Sequence, residues 1–373
     1  MGEKMIQQED APGAVLQQEL DKRGWNQTEF AEIINRPGRL VSEILAGKRA
    51  ITTETAREFA AALGTTPQFW LDLEANFQLS KTAPASDKIA RRAKLRERFP
   101  VREMIKRGWI ANSKADEQIE TDILRFFNIS SIDDKVELSH AARRNYEYNL
   151  TSSQEAWIFR VSKLSSALAA PKYSETRLRE ALAALELLMT EPEEIRHIPK
   201  ILNDCGVRFV IVEPIPGSRI DGVCFWIDKN RSPVIGMSLK GGDQIDRFWF
   251  NLRHEIEHVL RGDGRDSMVI DEFDDGKWNE SDCEIAANSA AADFCVPIAK
   301  MKDYYARNHP IYTEKSFLGF SKIVKRHPGI VAGQLQKRLD RWDLFKKYQV
   351  KVRHIITQTA LTDGYGKSIS IDL

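Results

Sequence analysis

The stretch Phe248-Trp-Phe-Asn-Leu-Arg-His-Glu-Ile-Glu-His-Val-Leu-Arg261 decides how the chain is read, and its centre, His254-Glu255-Ile256-Glu257-His258, has the form H-E-x-x-H. A helix repeats every ~3.6 residues, so side chains four apart lie on one face. Two imidazoles at that spacing can hold one Zn²⁺, and Glu255 stands where it can reach a water beside the metal. Phe248, Trp249, Phe250, Leu252, Val259 and Leu260 would bury such a helix and keep bulk water out. The bland alternative is a core helix that carries two histidines by chance. The chain has seven His, and the other five (His140, His197, His309, His327, His354) are scattered and read as structural.

A third ligand has to come from another element. Cys283-Glu-Ile-Ala-Ala-Asn-Ser-Ala-Ala-Ala-Asp-Phe-Cys-Val-Pro297 predicts an alanine-rich helix stopped by proline. Small side chains let it approach the first helix, and Glu284 near its start would aim a carboxylate at the metal. Two neutral imidazoles and one carboxylate leave a tetrahedral zinc with one open position. The competing reading of Glu284 is an N-terminal carboxylate favoured by the helix dipole. Upstream, Val207–Glu213, Gly222–Ile227 and Pro233–Ser238 read as strands, the last two forming a hairpin across Asp228–Ser232. A small sheet followed by such a helix is the layout of zinc peptidases. Zn²⁺, one per chain, is the expected cofactor, with His254, His258 and Glu284 as ligands and Glu255 as catalytic base.

These residues resemble the ImmA/IrrE family of metallopeptidases, whose signature couples H-E-x-x-H to a downstream E-x-x-A-N…P helix. Here it reads His254-Glu255-x-x-His258 and Glu284-x-x-Ala287-Asn288…Pro297. Gly222, Trp226 and Pro328-Gly-Ile-Val331…Gly333-x-Leu-Gln336 also look like family members. The resemblance spans residues 195–345 and implies the same ligands and base. The chain departs from the pattern at Glu257, where a small residue is usual, and at Ala286 and Ala290-Ala291, where many members repeat an acid and show Phe-Ala. The connection from His258 to Glu284 is long and acidic (Asp263, Asp266, Asp271, Glu272, Asp274, Asp275, Glu280, Asp282). A solvated loop is its ordinary meaning; a lid or a competitor for cations is the sharper one.

The N-terminal segment reads as five short helices. Gly24 ends the first, Asn26 with Glu29 caps the second, Asn35-Arg36-Pro37-Gly38 turns the chain, and Gly47 closes the third. Thr52 or Thr53 caps the fourth, Gly64 stops it, and a fifth begins after Pro67. That spacing is the helix-turn-helix layout, with the third helix in the major groove. Gln27-Thr-Glu-Phe-Ala31, Asn35-Arg-Pro37, Val41-Ser-Glu-Ile-Leu45, Gly47-Lys-Arg49, Ile51-Thr52, Ala61-Ala-Leu-Gly64 and Phe69-Trp70 resemble the Xre-type, HigA-like antitoxins and repressors. The resemblance implies operator DNA as partner. Arg39 and Ser42 would approach bases, and Gln27, Arg36, Lys48 and Arg49 phosphates. Residues 13–80 carry seven basic and nine acidic side chains, which keeps a protein-binding module open. Four of the seven basics (Arg36, Arg39, Lys48, Arg49) nevertheless cluster at the third helix.

The remainder of the 373 residues bounds these readings. Composition is that of a globular protein, 42% hydrophobic and 29% charged, with a formal net charge of +1. No apolar run approaches the ~18 residues of a membrane span, and Met1–Asp10 lacks the apolar core of a secretory signal. Cys205, Cys224, Cys283 and Cys295 show no C-x-x-C spacing and read as free thiols of a cytoplasmic protein. Residues 81–110 hold ten Lys/Arg against three acids. That is a solvated face or, more sharply, a phosphate-facing stripe.

The expected fold is mainly α with a small β-sheet (α+β), a helix-turn-helix bundle followed by a zincin-like metallopeptidase domain. Its parts are a flexible 1–12, the DNA-binding 13–80, a helical linker 81–192, the peptidase domain 193–345 and a C-terminal extension 346–373. The function implied is a homodimeric regulator in a stress or phage response. Its peptidase cleaves itself, a partner regulator or a toxin. The alternative is an antitoxin-like regulator whose metallopeptidase fold senses a ligand or partner with little proteolysis.

Overall fold

A computed structural model describes residues 11–83, 86–136, 150–229, 231–241, 243–265, 268–272 and 281–369. The chain divides into two compact units, Met1–Arg91 and Arg92–Leu373. Residues 137–149 of the linker, and residues 266–267 and 273–280 of the acidic connection after His258, lie outside the described residues.

In the first unit five helices follow the caps. They are α1 (Pro12–Arg23), α2 (Gln27–Ile33), α3 (Gly38–Leu45), α4 (Thr53–Leu63) and α5 (Pro67–Lys81). Asn26 and Glu29 close a capping box on α2, Thr52 and Thr55 another on α4, and Gly24 and Gly64 end helices in the left-handed conformation. Asn35, at φ 52°, makes the turn before α3. Leu40, Val41 and Ile44 of α3 are buried with Val15, Leu16, Phe30 and Phe59. Phe59 packs between Phe30 and Trp70, tilted to the first and edge-on to the second, at centroid distances of 5.3 and 5.4 Å, contacts worth about 0.5–1.5 kcal/mol each beyond their area.

The second unit is a sheet covered on both faces. It begins with α6 (Asp87–Arg98), α7 (Val101–Lys106), α8 (Asp116–Phe127), α9 (Ser152–Ala167), α10 (Glu175–Leu187) and α11 (Ile198–Asp204). Then come β1 (Arg208–Val212), β2 (Ile220–Ile227), β3 (Ser232–Met237), α12 (Ile245–Arg261), β4 (Val269–Glu272) and α13 (Asp282–Cys295). The unit ends with α14 (Ile298–Asn308), α15 (Glu314–Val324), α16 (Pro328–Leu339), α17 (Arg353–Thr359) and β5 (Leu361–Asp363). The sheet order is β4-β2-β3-β1-β5. β1 runs parallel to β3 and β5, while β2 runs antiparallel to β3 and β4.

Alternation along the strands separates the two faces. Phe209, Ile211, Cys224, Trp226, Ile235 and Met237 join the core that holds Leu252 and Ile256 of α12. Val210, Val212, Val223, Phe225 and Val234 join the core of Trp157, Ile158 and Val161 from α9. A Cβ on Gly236 of β3 would lie 2.6 Å from Val161, so the missing side chain lets α9 sit close to the sheet.

The described part of the linker 81–192 from Arg92 onward belongs to the second unit, because α9 covers one face of the sheet. The extension 346–373 supplies β5 at the sheet edge. Helix α16 stops at Leu339, because Asp340 turns left-handed at φ 52°. At least four of the ten basic residues of the stripe make contacts within the protein. Arg92 pairs with Asp116, Lys94 with Asp133 at 2.5 Å and Arg98 with Glu155 at 2.6 Å. Arg107 donates to the carbonyls of Glu213 and Pro214.

Candidate functional site

The H-E-x-x-H residues lie on α12 as the spacing predicts, and α13 is the element packed most closely against that helix. Ala287 and Ala291 of α13 are fully buried, which permits the approach. Arg326 donates to the carbonyls of Phe294 and Cys295, satisfying the end of α13 and fixing its position.

Three donor atoms converge. His254 Nε2 lies 2.9 Å from His258 Nε2 and 3.2 Å from Glu284 Oε2, and His258 Nε2 lies 3.4 Å from Glu284 Oε1. A tetrahedron with ~2.0–2.1 Å bonds to zinc has edges of about 3.3 Å, so the spacing suits one ion of that size. Among the described residues this trio is the one group of His, Cys, Asp and Glu arranged to hold a metal. All three side chains are buried. Burial opposes charge on Glu284, but hydrogen bonds from the two imidazoles prevail and hold its carboxyl down at about 2, so it faces them as an anion.

Neighbouring groups set the orientation. Gly262 ends α12 in the left-handed conformation, and the chain folds back so that Asp263 Oδ2 lies 3.0 Å from His258 Nδ1. A carboxylate that accepts the Nδ1–H keeps the proton on that nitrogen, and with a metal bound this would leave the Nε2 lone pair for the ion. Trp226 of β2 holds the Asp263 carbonyl at 2.8 Å, anchoring the turn to the sheet. Glu255, 1% exposed, faces β2, where a Cβ on Gly222 would lie 1.8 Å from Glu255 Oε1. Glu257 points elsewhere and pairs with Arg253 at 2.7 Å, one helical turn back.

The sequence therefore named all three converging groups and Glu255, and missed the part of Asp263. Its acidic surroundings suggested a solvated loop. The available signal was an acid directly after the helix-ending glycine, within reach of the last histidine.

In the first unit Arg39, Ser42, Lys48, Arg49 and Gln27 are exposed, as a nucleic-acid face requires. Arg36 is placed differently. Its Nε donates to both carboxylate oxygens of Glu58, at 2.9 and 3.0 Å, and its Nη2 reaches Glu54 at 2.6 Å. The guanidinium is 28% exposed and ties the turn before α3 to α4. Arg39 Nε donates to Glu43 at 2.7 Å and Arg49 Nη1 at 3.3 Å.

Residues 16–70 match the helix-turn-helix family model. An uncharacterized HTH-type transcriptional regulator of Escherichia coli, YddM, is 32% identical over 20% of this chain and 81% of its own length. Virulence-associated protein A' of Dichelobacter nodosus is 35% identical over 21% of this chain and 70% of its own. Among solved structures, an addiction module antidote protein of a HigA family from Coxiella burnetii is 29% identical. It covers 20% of this chain and 97% of that one at a TM-score of 0.19. Through its N-terminal unit, this chain belongs to the helix-turn-helix family.

Proposed function

We propose that the protein is an antitoxin-like transcriptional regulator that binds operator DNA through α3, and that its second unit is a zinc-dependent endopeptidase of ImmA/IrrE type. The convergence of His254, His258 and Glu284 with Glu255 beside them, on a chain that also carries a helix-turn-helix, carries this reading. Zinc, when bound, supplies Lewis acidity that polarises a scissile carbonyl and brings the pKa of a water towards ~7. Glu255 would take the proton of the attacking water on its carboxylate and hand it to the departing amine nitrogen. Gly222 leaves room for that carboxylate to turn between the two partners. Asp263 keeps His258 in the tautomer that a ligand needs. Burial of the cluster limits its contact with bulk water.

The substrate class this suggests is a regulatory protein, either this chain itself or a repressor or toxin bound with it, and a second copy would read a two-fold operator. The test expresses wild type and Glu255→Gln under DNA damage or phage challenge and searches by mass spectrometry for fragments of this chain and of neighbour-encoded proteins. A fragment present only with Glu255 intact, in protein containing one zinc per chain, supports the reading. Identical fragment patterns overturn proteolysis and leave a sensor; metal-free protein overturns the zinc site.

A further inference from the structure

We propose that Glu43 is a specificity-determining residue of the α3 face, holding Arg39 end-on so that it reads a guanine. The proposal rests on the DNA-binding reading above. Arg36, Pro37, Arg39, Leu40, Glu43 and Arg49 line an open cleft of about 460 Å³. Two of its guanidinium groups share one carboxylate. Arg39 Nε donates to Glu43 Oε1 at 2.7 Å, and Arg49 Nη1 to Oε2 at 3.3 Å. The Arg39 side chain is 88% exposed while that of Glu43 is 26% exposed, so the acid is the anchor and the arginine the projecting arm.

The choice of nitrogen matters. A guanidinium offers a side edge, which includes Nε, and an end-on fork of Nη1 and Nη2. With Nε spent on Glu43, Arg39 presents the fork, and that fork matches the O6 and N7 acceptors of guanine in the major groove. An unbraced arginine on an exposed helix is free to fold onto the nearest phosphate, a contact that carries no sequence information. Glu43 opposes that collapse twice. It fixes the side chain in one geometry, and its own charge repels phosphate. The ordinary consequence of an acid among arginines is weaker DNA binding; here the expected consequence is selectivity obtained at some cost in affinity.

The experiment uses the full chain. Wild-type protein is incubated with a pool of randomised duplexes, and bound sequences are recovered and read. Binding to the recovered duplex, and to the same duplex with its guanine positions exchanged one at a time, is then followed by fluorescence anisotropy. Arg39→Ala and Glu43→Ala should each reduce the preference for guanine at one shared position by about tenfold, with Glu43→Ala binding non-cognate duplex as well as or better than wild type. Glu43→Gln keeps an acceptor and should fall between. Full guanine preference in Glu43→Ala, with an unchanged circular dichroism spectrum, overturns the proposal and leaves DNA binding intact. A wild-type chain that enriches no sequence overturns the DNA-binding reading and the proposal together.

Discussion

Asp263 Oδ2 lies 3.0 Å from Nδ1 of His258, on the side of the ring away from His254 and Glu284. The contact joins a helix end to a proposed metal ligand. Replacing Asp263 by Ala should weaken zinc binding about 10–100-fold, measured by competition with a chromophoric chelator. Glu284→Ala should weaken it further, since a donor atom is lost. Equal affinity in Asp263→Ala and wild type would detach Asp263 from the site.

On the proposed reading, a change at Gly222 separates metal binding from proton transfer. A methyl group there would meet Glu255 Oε1 at 1.8 Å, and the carboxylate has to move. The Gly222→Ala protein should keep one zinc per chain and lose about 100-fold or more in cleavage rate, within the range a displaced general base costs. Unchanged cleavage would mean that Glu255 is not held against β2.

Acid should weaken the second unit through His327. Its Nδ1 accepts the Gly329 N–H at 3.0 Å and caps α16. Burial lowers its pKa, against the opposing pull of Glu191 and Glu193. In the unfolded chain the imidazole titrates near ~6.5. Below that pH the unfolded state takes up a proton that the folded state refuses, so stability falls as pH falls. His327→Asn keeps a capping oxygen that does not titrate. Its urea midpoint should drop less than that of wild type between about pH 7.5 and about pH 5.5. Equal drops in the two proteins would rule His327 out.

Arg160 and Asp363 form a buried ion pair at 2.5 Å, each side chain 2% exposed, and Trp109 Nε1 also donates to Asp363. Asp363→Ala would leave a charge and an indole N–H without their acceptor. A loss of about 3–5 kcal/mol in unfolding free energy is expected, with part recovered in an Arg160→Met, Asp363→Leu double variant. A loss below about 1 kcal/mol would place the pair in solvent.

The parts legible in the sequence are those set by local chemistry. Asn26, Thr52, Gly24 and Gly64 marked helix ends that the structure keeps. The i, i+4 spacing of His254 and His258 sufficed to put them on one face, and an alanine-rich helix suggested where Glu284 would come from. What was illegible depends on distant partners. Leu361-Thr-Asp363 has no strand pattern of its own and becomes β5 through pairing with β1 and the charge on Arg160. Val269–Glu272 sits in an acidic stretch that reads as loop, yet it pairs with β2. The apolar face of α9 gives no hint that its partner is a sheet some fifty residues on, a separation over which loop closure costs only a little more than over a short one. Glu257 is the exception, because Arg253 stands four residues before it and the pair was readable as such.

The pairing of Val210 with Leu361 sets an order of events during synthesis. Residues 12–81 contain α1 to α5 and a core of their own. The sheet beneath α12, by contrast, gains β5 only after residues 361–363 have left the ribosome. On the proposed reading, the operator reader is ready while the hydrolytic half is still incomplete, and each newly made molecule can find its DNA before it is able to cut anything.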